Sequence, residues 1–586
     1  MVVLRLPVLV RVVAALSGGV ALAASFPEPG WWWLAAPAVG LLVAAVAGVG
    51  VRTGALVGMV FGLAFFLPLL RWTAEYVGPV AHSLAVLQAA FCALAGALLV
   101  LVLRWTPGAG AVSAQGPVPG SGWAPPPSGV LVLQALAAGG AWTGVEALRA
   151  RIPFGGFGWG RVAFSQADAP TLGLAAVGGA PLVSFAVATT GAALALVALR
   201  LLVALAGRRS AAAGTAPPPR TRALAALAAP ALLAVAAGGG GALVPRPVEA
   251  EAGTLTVAAV QGDVPAPGLE FNAERRAVLD NHVQGTLRLA EAVAAGEVPQ
   301  PDLVVWPENA SDIDPFTNAD AYRTIDEAAQ AVDAPLLVGT LVRGSRGTGL
   351  AAPEGAAGAE EDALRNVVLA WDPQTGPGQV YAKRHPVPFA EYVPYRDFFR
   401  TFSPAVDLVR ADMVPGQVPG LLEVAGTSVG TLICFEPVVD GLVDDVVAGG
   451  AQLLVVPTNN ATFGFTDESV QQLAISRVRA VEEGRAVVHA STVGVSAVIA
   501  PDGSTGRRTH LFTPDVLVTE VPLRTTRTLA SRLGAWPEVG LSVLGGVVAL
   551  AGALGGRRRR DDAPAAEGAG TDVDPEPVAV APGSAR

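Results

Sequence analysis

Apolar runs of two lengths divide this chain. Before about residue 245, almost uncharged stretches recur at roughly 20 residues, the length a helix needs to cross a hydrocarbon core of about 30 Å. Seven lie near Pro7–Phe26, Trp32–Gly50, Thr53–Leu70, Val80–Leu103, Gly129–Leu148, Ala176–Ala206 and Ala223–Val244, and an eighth near Val539–Leu554. Only Val51-Arg52 separates the second and third, which predicts a tight helical hairpin. Between the seventh and eighth the runs shrink to strand length: Leu255–Val260, Leu303–Trp306, Leu336–Val338, Val367–Trp371, Val429–Ile433, Leu453–Val456, Ala486–Ala490, Val495–Ile499 and Val516–Val521. Helical patterns at Ala273–Val293 and Val470–Arg485 lie between them. Strands alternating with helices predict an α/β domain. The expected division is helices one to seven in 1–244, the α/β domain in 245–535, helix eight in 536–556 and a tail in 557–586.

Composition turns these helices into membrane spans. Hydrophobic residues make up 52% and charged residues 15%, against about 25% charged in a soluble domain. The fold class expected is a multi-span helical membrane domain of about eight helices carrying an inserted α/β domain. A net charge of −9 argues against a nucleic-acid partner. Arg557 to Arg560 follow the last span, and Arg200, Arg208, Arg209, Arg220 and Arg222 flank the loop between the sixth and seventh. The positive-inside bias makes both cytoplasmic. Parity then puts the α/β domain outside the cytoplasm, with Arg5 and Arg11 at a cytoplasmic N-terminus. A cleaved signal peptide ending near Ala21-Leu22-Ala23 is the alternative for the first span, and leaves the remaining orientation unchanged. Thr106–Ser128 reads as a flexible linker and Asp561–Arg586 as a disordered acidic tail.

The candidate chemistry starts from two cysteines. Cys92 lies within a span, so an intrachain disulfide is not expected. Cys434 ends the Val429–Ile433 run and is followed by Phe435-Glu436-Pro437, the placement by which a sheet presents a nucleophile. Trp306-Pro307-Glu308 and Tyr381-Ala382-Lys383 also end strand-like runs. Taken singly, these three read as a structural cysteine, a solvated glutamate and a surface lysine. The histidines (82, 282, 385, 489, 510) show no metal-ligand spacing, and no cofactor is expected.

Together the three pieces resemble the Glu-Lys-Cys order of the nitrilase superfamily. The phrase Lys383-Arg384-His385-Pro386-Val387-Pro388-Phe389-Ala390-Glu391-Tyr392-Val393-Pro394 narrows the resemblance to its membrane branch, the apolipoprotein N-acyltransferase family. The likeness runs from about Thr254 to Glu520. It implies an α-β-β-α sandwich at the extracytoplasmic face of a bacterial plasma membrane. It implies Glu308 as general base, Lys383 as stabiliser of thiolate and oxyanion, and Cys434 as nucleophile. A phospholipid would donate an acyl chain through a Cys434 thioester, and the α-amine of a diacylglyceryl-modified apolipoprotein would accept it. Some relatives work beside a polyprenol-phosphate mannosyltransferase; no such domain is visible here.

Supporting roles are expected at Glu391, to orient Lys383 or Glu308, at Glu436, to hold the nucleophile loop, and at Phe435, whose N–H is a candidate oxyanion donor. For both glutamates a structural salt bridge is the plain alternative. Asn366, Asn459 and Asn460 are candidate loop caps, and Arg477, Arg479 and Arg485 are expected in structural ion pairs. Ile152–Gly160, glycines interleaved with aromatics, is expected at the membrane interface beside the lipid access, with Glu146 and Arg149 reaching that interface. The chain departs from the family pattern at Phe435, where Tyr is usual, at Phe463 and Phe271, where Trp is common, and at Ala390, which replaces Gly. Two rival functions use the same chain: a membrane-tethered amidase, for which one anchor would suffice, and a transporter or scaffold, which the scarcity of ionisable residues in the spans disfavours.

Overall fold

The structure, a computed structural model, describes residues 6–106, 126–210, 220–264, 275–344 and 363–561. Arg5, Phe271, most of the Thr106–Ser128 linker and nearly all of the acidic tail lie outside the described residues.

The N-terminal half is helical: α1 (Val8–Ala24), α2 (Ala35–Val46), α3 (Val51–Leu69), α4 (Thr73–Val77), α5 (His82–Arg104), α6 (Ser128–Arg149), α7 (Ala175–Ser210) and α8 (Arg220–Gly239). Five helical stretches are long and apolar enough to cross a membrane: Val51–Leu69, Thr73–Arg104, Ser128–Arg149, Pro170–Leu205 and Trp536–Gly555. Val8–Ala24, Trp32–Val46 and Leu227–Leu243 are shorter apolar helices. The turn between α2 and α3 is Ala47–Gly50, so Val51 and Arg52, expected to form it, begin α3 instead. Helices without water between them associate through small residues that let backbones approach. At Gly58 of α3 a Cβ would lie 2.2 Å from the Cys92 carbonyl of α5, so only glycine allows this crossing.

The second half follows as β1 (Thr254–Gln261), α9 (Arg275–Ala294), β2 (Leu303–Val305), α10 (Ala319–Val332), β3 (Leu336–Arg343), β4 (Leu364–Asp372), β5 (Gly376–Ala382) and α11 (Arg396–Arg400). Then come β6 (Leu421–Val424), β7 (Thr427–Thr431), α12 (Asp440–Ala448), β8 (Leu453–Thr458), α13 (Glu468–Glu483), β9 (Val487–Ser491), β10 (Ala497–Ile499), β11 (Thr505–Arg508), β12 (Asp515–Pro522), α14 (Leu529–Leu533) and α15 (Trp536–Asp561). Two six-stranded sheets result, ordered β12-β1-β2-β3-β4-β5 and β11-β10-β9-β8-β7-β6. In each, two parallel pairings sit centrally (β1-β2-β3 and β7-β8-β9), flanked by antiparallel ones.

The sheets face each other through alternate strand residues. Val257, Val305 and Leu337 of the first join Val429, Val455 and Val488 of the second in one buried cluster. The outer face of the first sheet packs on α9 and α10 through Leu279, Ile325 and Ala328. That of the second packs on α12 and α13 through Val443, Val447 and Leu473. This is the expected α-β-β-α sandwich. The membrane core is continuous with it: Phe435, Val438, Ile475 and Val478 share a buried cluster with Trp142, Trp159 and Phe164.

Candidate active site

Three strand ends converge. β2 runs into Trp306-Pro307, whose ring ends the ladder, and Glu308 follows. Gly339 of β3 makes room for that turn: a Cβ there would sit 2.1 Å from the Pro307 carbonyl and 2.8 Å from the Glu308 Cα. β5 ends at Ala382 and delivers Lys383. β7 stops at Thr431, two residues earlier than its apolar run predicts, although Leu432 and Cys434 still donate their N–H groups to Val455 and Pro457 of the β8 run. Cys434 sits at φ +56°, a left-handed turn that costs a non-glycine residue roughly 1–2 kcal/mol and aims it off the sheet.

Lys383 Nζ lies 3.1 Å from Glu308 and 2.9 Å from Glu391. Glu308 is 4% exposed and Lys383 2%, neither the solvated residue its neighbours in sequence suggest. Burial opposes the ammonium charge, but Glu308 and Glu391 outweigh it and hold the Lys383 pKa well above its usual value. Asn366 donates to Glu308 at 2.7 Å and to Glu391 at 2.9 Å, and so clamps the two carboxylates rather than capping a loop. The Asn459 backbone N–H binds the other Glu308 oxygen at 3.0 Å. Burial pushes the Cys434 thiol up, Glu308 adds to this, and Lys383 pulls against both. The resting sulfur is therefore a neutral thiol, ionised only when a base takes its proton.

Glu436 is fully buried and accepts from Tyr381 Oη at 2.8 Å, Ile433 N–H at 2.7 Å, Arg384 N–H at 2.7 Å and His385 N–H at 3.1 Å. It ties the Cys434 loop to the Lys383 loop. Phe435 is ringed by Phe157 (centroids 5.7 Å apart), Trp159 (6.1 Å) and His385 (6.2 Å), all roughly parallel to it. Ile152–Gly160 therefore turns Phe157 and Trp159 inward against Phe435, next to Cys434. Glu146 and Arg149 do not reach the interface: both are buried, and Arg149 holds the Phe157 carbonyl at 2.8 Å while Glu146 accepts the Val162 N–H at 2.9 Å. Arg477 and Arg479 form the expected ion pairs, with Asp168 and Asp440. Arg485 binds backbone carbonyls instead, at Ala451, Thr525 and Thr526.

Four polar residues near the site escape a sequence reading. α13 begins at Glu468, two residues earlier than its periodicity suggests, and places Glu468, Gln471 and Gln472 on its buried side. Gln471 accepts from Trp159 Nε1 at 2.8 Å, and Gln472 meets Cys434. Asp440, at the start of α12, binds Arg161. Long polar side chains on the buried face of a helix were the available signal.

A cysteine, a glutamate and a lysine at three strand ends of a double-sheet sandwich, set on apolar helices, are the arrangement of a carbon–nitrogen hydrolase fold seated on a membrane anchor. The carbon-nitrogen hydrolase family matches residues 256–531, and the apolipoprotein N-acyltransferase N-terminal domain matches residues 18–193. The apolipoprotein N-acyltransferase of Mycolicibacterium smegmatis is 41% identical over 550 residues, 92% of this chain and 84% of that one. That of Azotobacter vinelandii is 30% identical over 414 residues, 70% of this chain and 72% of that one. A solved amidase from Nesterenkonia sp. is 20% identical, with a TM-score of 0.32 over 46% of this chain and 90% of its own. The chain belongs to the apolipoprotein N-acyltransferase family.

Proposed function

We propose that this protein moves an acyl chain from a phospholipid to the N-terminal α-amine of a diacylglyceryl-modified apolipoprotein, with Glu308, Lys383 and Cys434 as its catalytic residues. The observation that carries this reading is that Glu308 and Lys383, 3.1 Å apart, both act on the Cys434 thiol, beside the loop that the helical bundle lays on Phe435.

Glu308 takes the Cys434 proton as sulfur attacks the ester carbonyl. Lys383 and the Phe435 N–H face the oxyanion. The tetrahedral intermediate collapses, the ester C–O bond breaks, and Glu308 returns the proton to the departing lysophospholipid. In the second half the acceptor amine attacks the thioester, Glu308 takes a proton from nitrogen, and the thiol is released. Lys383 stays charged: Glu391 holds its proton even while Glu308 carries the one from Cys434. An amide outlasts a thioester, so the second step runs downhill.

Lipid substrates explain the helices. Moving a chain of about 16 carbons into water would cost about 12 kcal/mol at about 0.8 kcal/mol per CH₂. A site against the bundle avoids that transfer, and a single-anchor amidase would leave the match to the N-terminal domain unexplained.

The eight apolar helices are read as eight spans, with residues 245–535 on the extracytoplasmic side and 557–586 in the cytoplasm. Supporting this, Arg11 reaches the Ala47 carbonyl, Arg104 the Val49 carbonyl and Arg200 the Pro126 carbonyl. The α/β domain packs at other ends of the helices, where Arg71 and Arg161 bind Asp467 and Asp440. Incubation with phospholipid vesicles followed by mass spectrometry tests the reaction. An acyl adduct on Cys434, lost in Cys434→Ser and passed on to a diacylglyceryl-cysteine peptide, is expected. A wild-type protein that turns over peptide without such an adduct would overturn it.

A further inference from the structure

The scheme above leaves the sulfur's contacts with its own sheet unused. Glu308 and Lys383 reach Cys434 from the first sheet. From the second, α13 brings Gln472 Nε2 to 3.0 Å from the Cys434 carbonyl and 3.6 Å from its Sγ.

That amide can point only one way. The Gly494 N–H, which can only donate, binds Ser491 Oγ at 2.7 Å. The single Ser491 proton then goes to Asn460 Oδ1 at 2.5 Å. The Asn460 NH₂ is thereby turned to Glu468, at 2.6 Å, and to Gln472 Oε1, at 2.9 Å. Thr458 Oγ1 gives the same Gln472 oxygen a second proton at 2.8 Å. With its oxygen doubly engaged, Gln472 must present N–H groups to Cys434. The flipped amide would set NH₂ against NH₂ and oxygen against the Cys434 carbonyl. Ser491, Thr458, Asn460 and Gln472 are all at most 2% exposed, so water cannot substitute for any link.

The sulfur needs such a donor. The titratable groups acting on it are Glu308 after β2, Lys383 after β5 and Glu468 on α13, with the Thr458 hydroxyl also in reach. Lys383 is the one cation among these, and it is shared with Glu308 and Glu391. A neutral N–H stabilises a forming thiolate without adding a charge that Glu308 would also feel.

We propose that Gln472 is a further catalytic residue, an N–H donor to the Cys434 sulfur aimed by the Ser491–Asn460 relay, which stabilises the thiolate as it forms and as it leaves. The inference rests on Cys434 being the nucleophile of the proposed reaction.

The test uses the full chain in detergent micelles. Cys434 alkylation by iodoacetamide, located by mass spectrometry, is followed against pH for wild type, Gln472→Glu, Gln472→Met and Ser491→Ala. In Gln472→Glu an acceptor replaces the donor. Its alkylation profile should move up by about one pH unit or more, which slows the reaction about tenfold near neutral pH. Gln472→Met should shift it less. Ser491→Ala, which keeps Gln472 but frees the relay, should shift it least. Acyl-enzyme formation from phospholipid should fall in the same order. A wild-type alkylation profile in those variants that keep the wild-type melting temperature overturns the proposal. Iodoacetamide needs no acyl donor, so a wild type that alkylates as expected but forms no thioester fails the proposed function and leaves the role of Gln472 standing.

Discussion

Arg161 Nη1 lies 2.7 and 2.8 Å from the two carboxylate oxygens of Asp440. One residue belongs to the loop above α6, the other to the first turn of α12, so the contact joins the helical bundle to the catalytic sandwich. Arg479 binds the same carboxylate at 2.6 Å and Arg161 also reaches Glu538. Burial alone would raise the Asp440 carboxyl; Arg161 and Arg479 instead hold it well below the usual carboxylate range.

Removing one member of such a buried set leaves the others without compensation. Arg161→Ala should lose roughly 3 kcal/mol of stability, the lower end of the range for a buried pair because Asp440 keeps a quarter of its side chain accessible. Arg161→Lys, with one charge but no fork, should recover part of it. Thermal unfolding in detergent decides; equal melting temperatures for all three proteins would show the contact to be idle.

Asn366→Asp puts a third carboxylate beside Glu308 and Glu391 and removes the donor that clamps them. Lys383 cannot neutralise three charges. Acyl-enzyme formation should fall by about two orders of magnitude or more, a loss of the size expected when a base is mispositioned, while Asn366→Ala should lose less. Quenched-flow measurement of the Cys434 adduct separates this from a defect in amine transfer.

Gly339→Ala tests the approach of β3 to Glu308, the proposed base. The added methyl would meet the Pro307 carbonyl and the Glu308 backbone and push the base outward. A misplacement of about 1 Å costs about 100-fold in rate, so kcat should drop by that order with little change in the KM for phospholipid. A KM effect alone would point to substrate binding instead.

Glu468 predicts a pH dependence of stability. Burial, with Glu308 adding to it, pushes its carboxyl from 4.5 to about 8. The folded protein therefore holds this proton more tightly than the unfolded chain does. The group adds no penalty below about pH 4.5 and a growing one as pH rises toward 8. Glu468→Gln, neutral and isosteric, should remove that slope. Relative to wild type it should be more stable at pH 8.5 by on the order of 1–3 kcal/mol, with a smaller difference at pH 5.5. Parallel melting curves against pH for both proteins would contradict this.

The apolar helices and the central strands were readable because long uniform runs and short β-branched runs each have one stable use. The edges of the sheets were not. β5 opens Gly376-Pro377-Gly378-Gln379, β6 is only four residues long and β11 is Thr505-Gly506-Arg507-Arg508, polar and mostly exposed, so neither apolarity nor alternation marks them. α10, by contrast, is marked in the sequence by its Asn318 cap and by Ala321, Ile325, Ala328, Ala329 and Val332 gathered on one buried face. At the site, Cys434, Glu308 and Lys383 stood out because each follows a strand at a proline or turn. Gln472 did not, and Asn460 stood out only as a loop cap, because their roles are set by partners on other elements. Glu146 and Arg149 misled for a related reason: charge at a helix end suggests water, whereas here a backbone loop supplies the partners.

α7 breaks at Gly178 and Gly179, and beyond the break the Ala180 N–H is bound at 3.1 Å by Glu482, 302 residues later. The resumed helix thus takes an acceptor for its opening turn from a side chain on α13. On a ribosome the order of events follows: most of the bundle is made long before that acceptor exists, and α7 stays without it until the sandwich closes. A gene cut between the two halves would yield fragments that each expose a partner meant for the other, so co-expression, rather than separate production and mixing, is the route by which such halves would find a common native state.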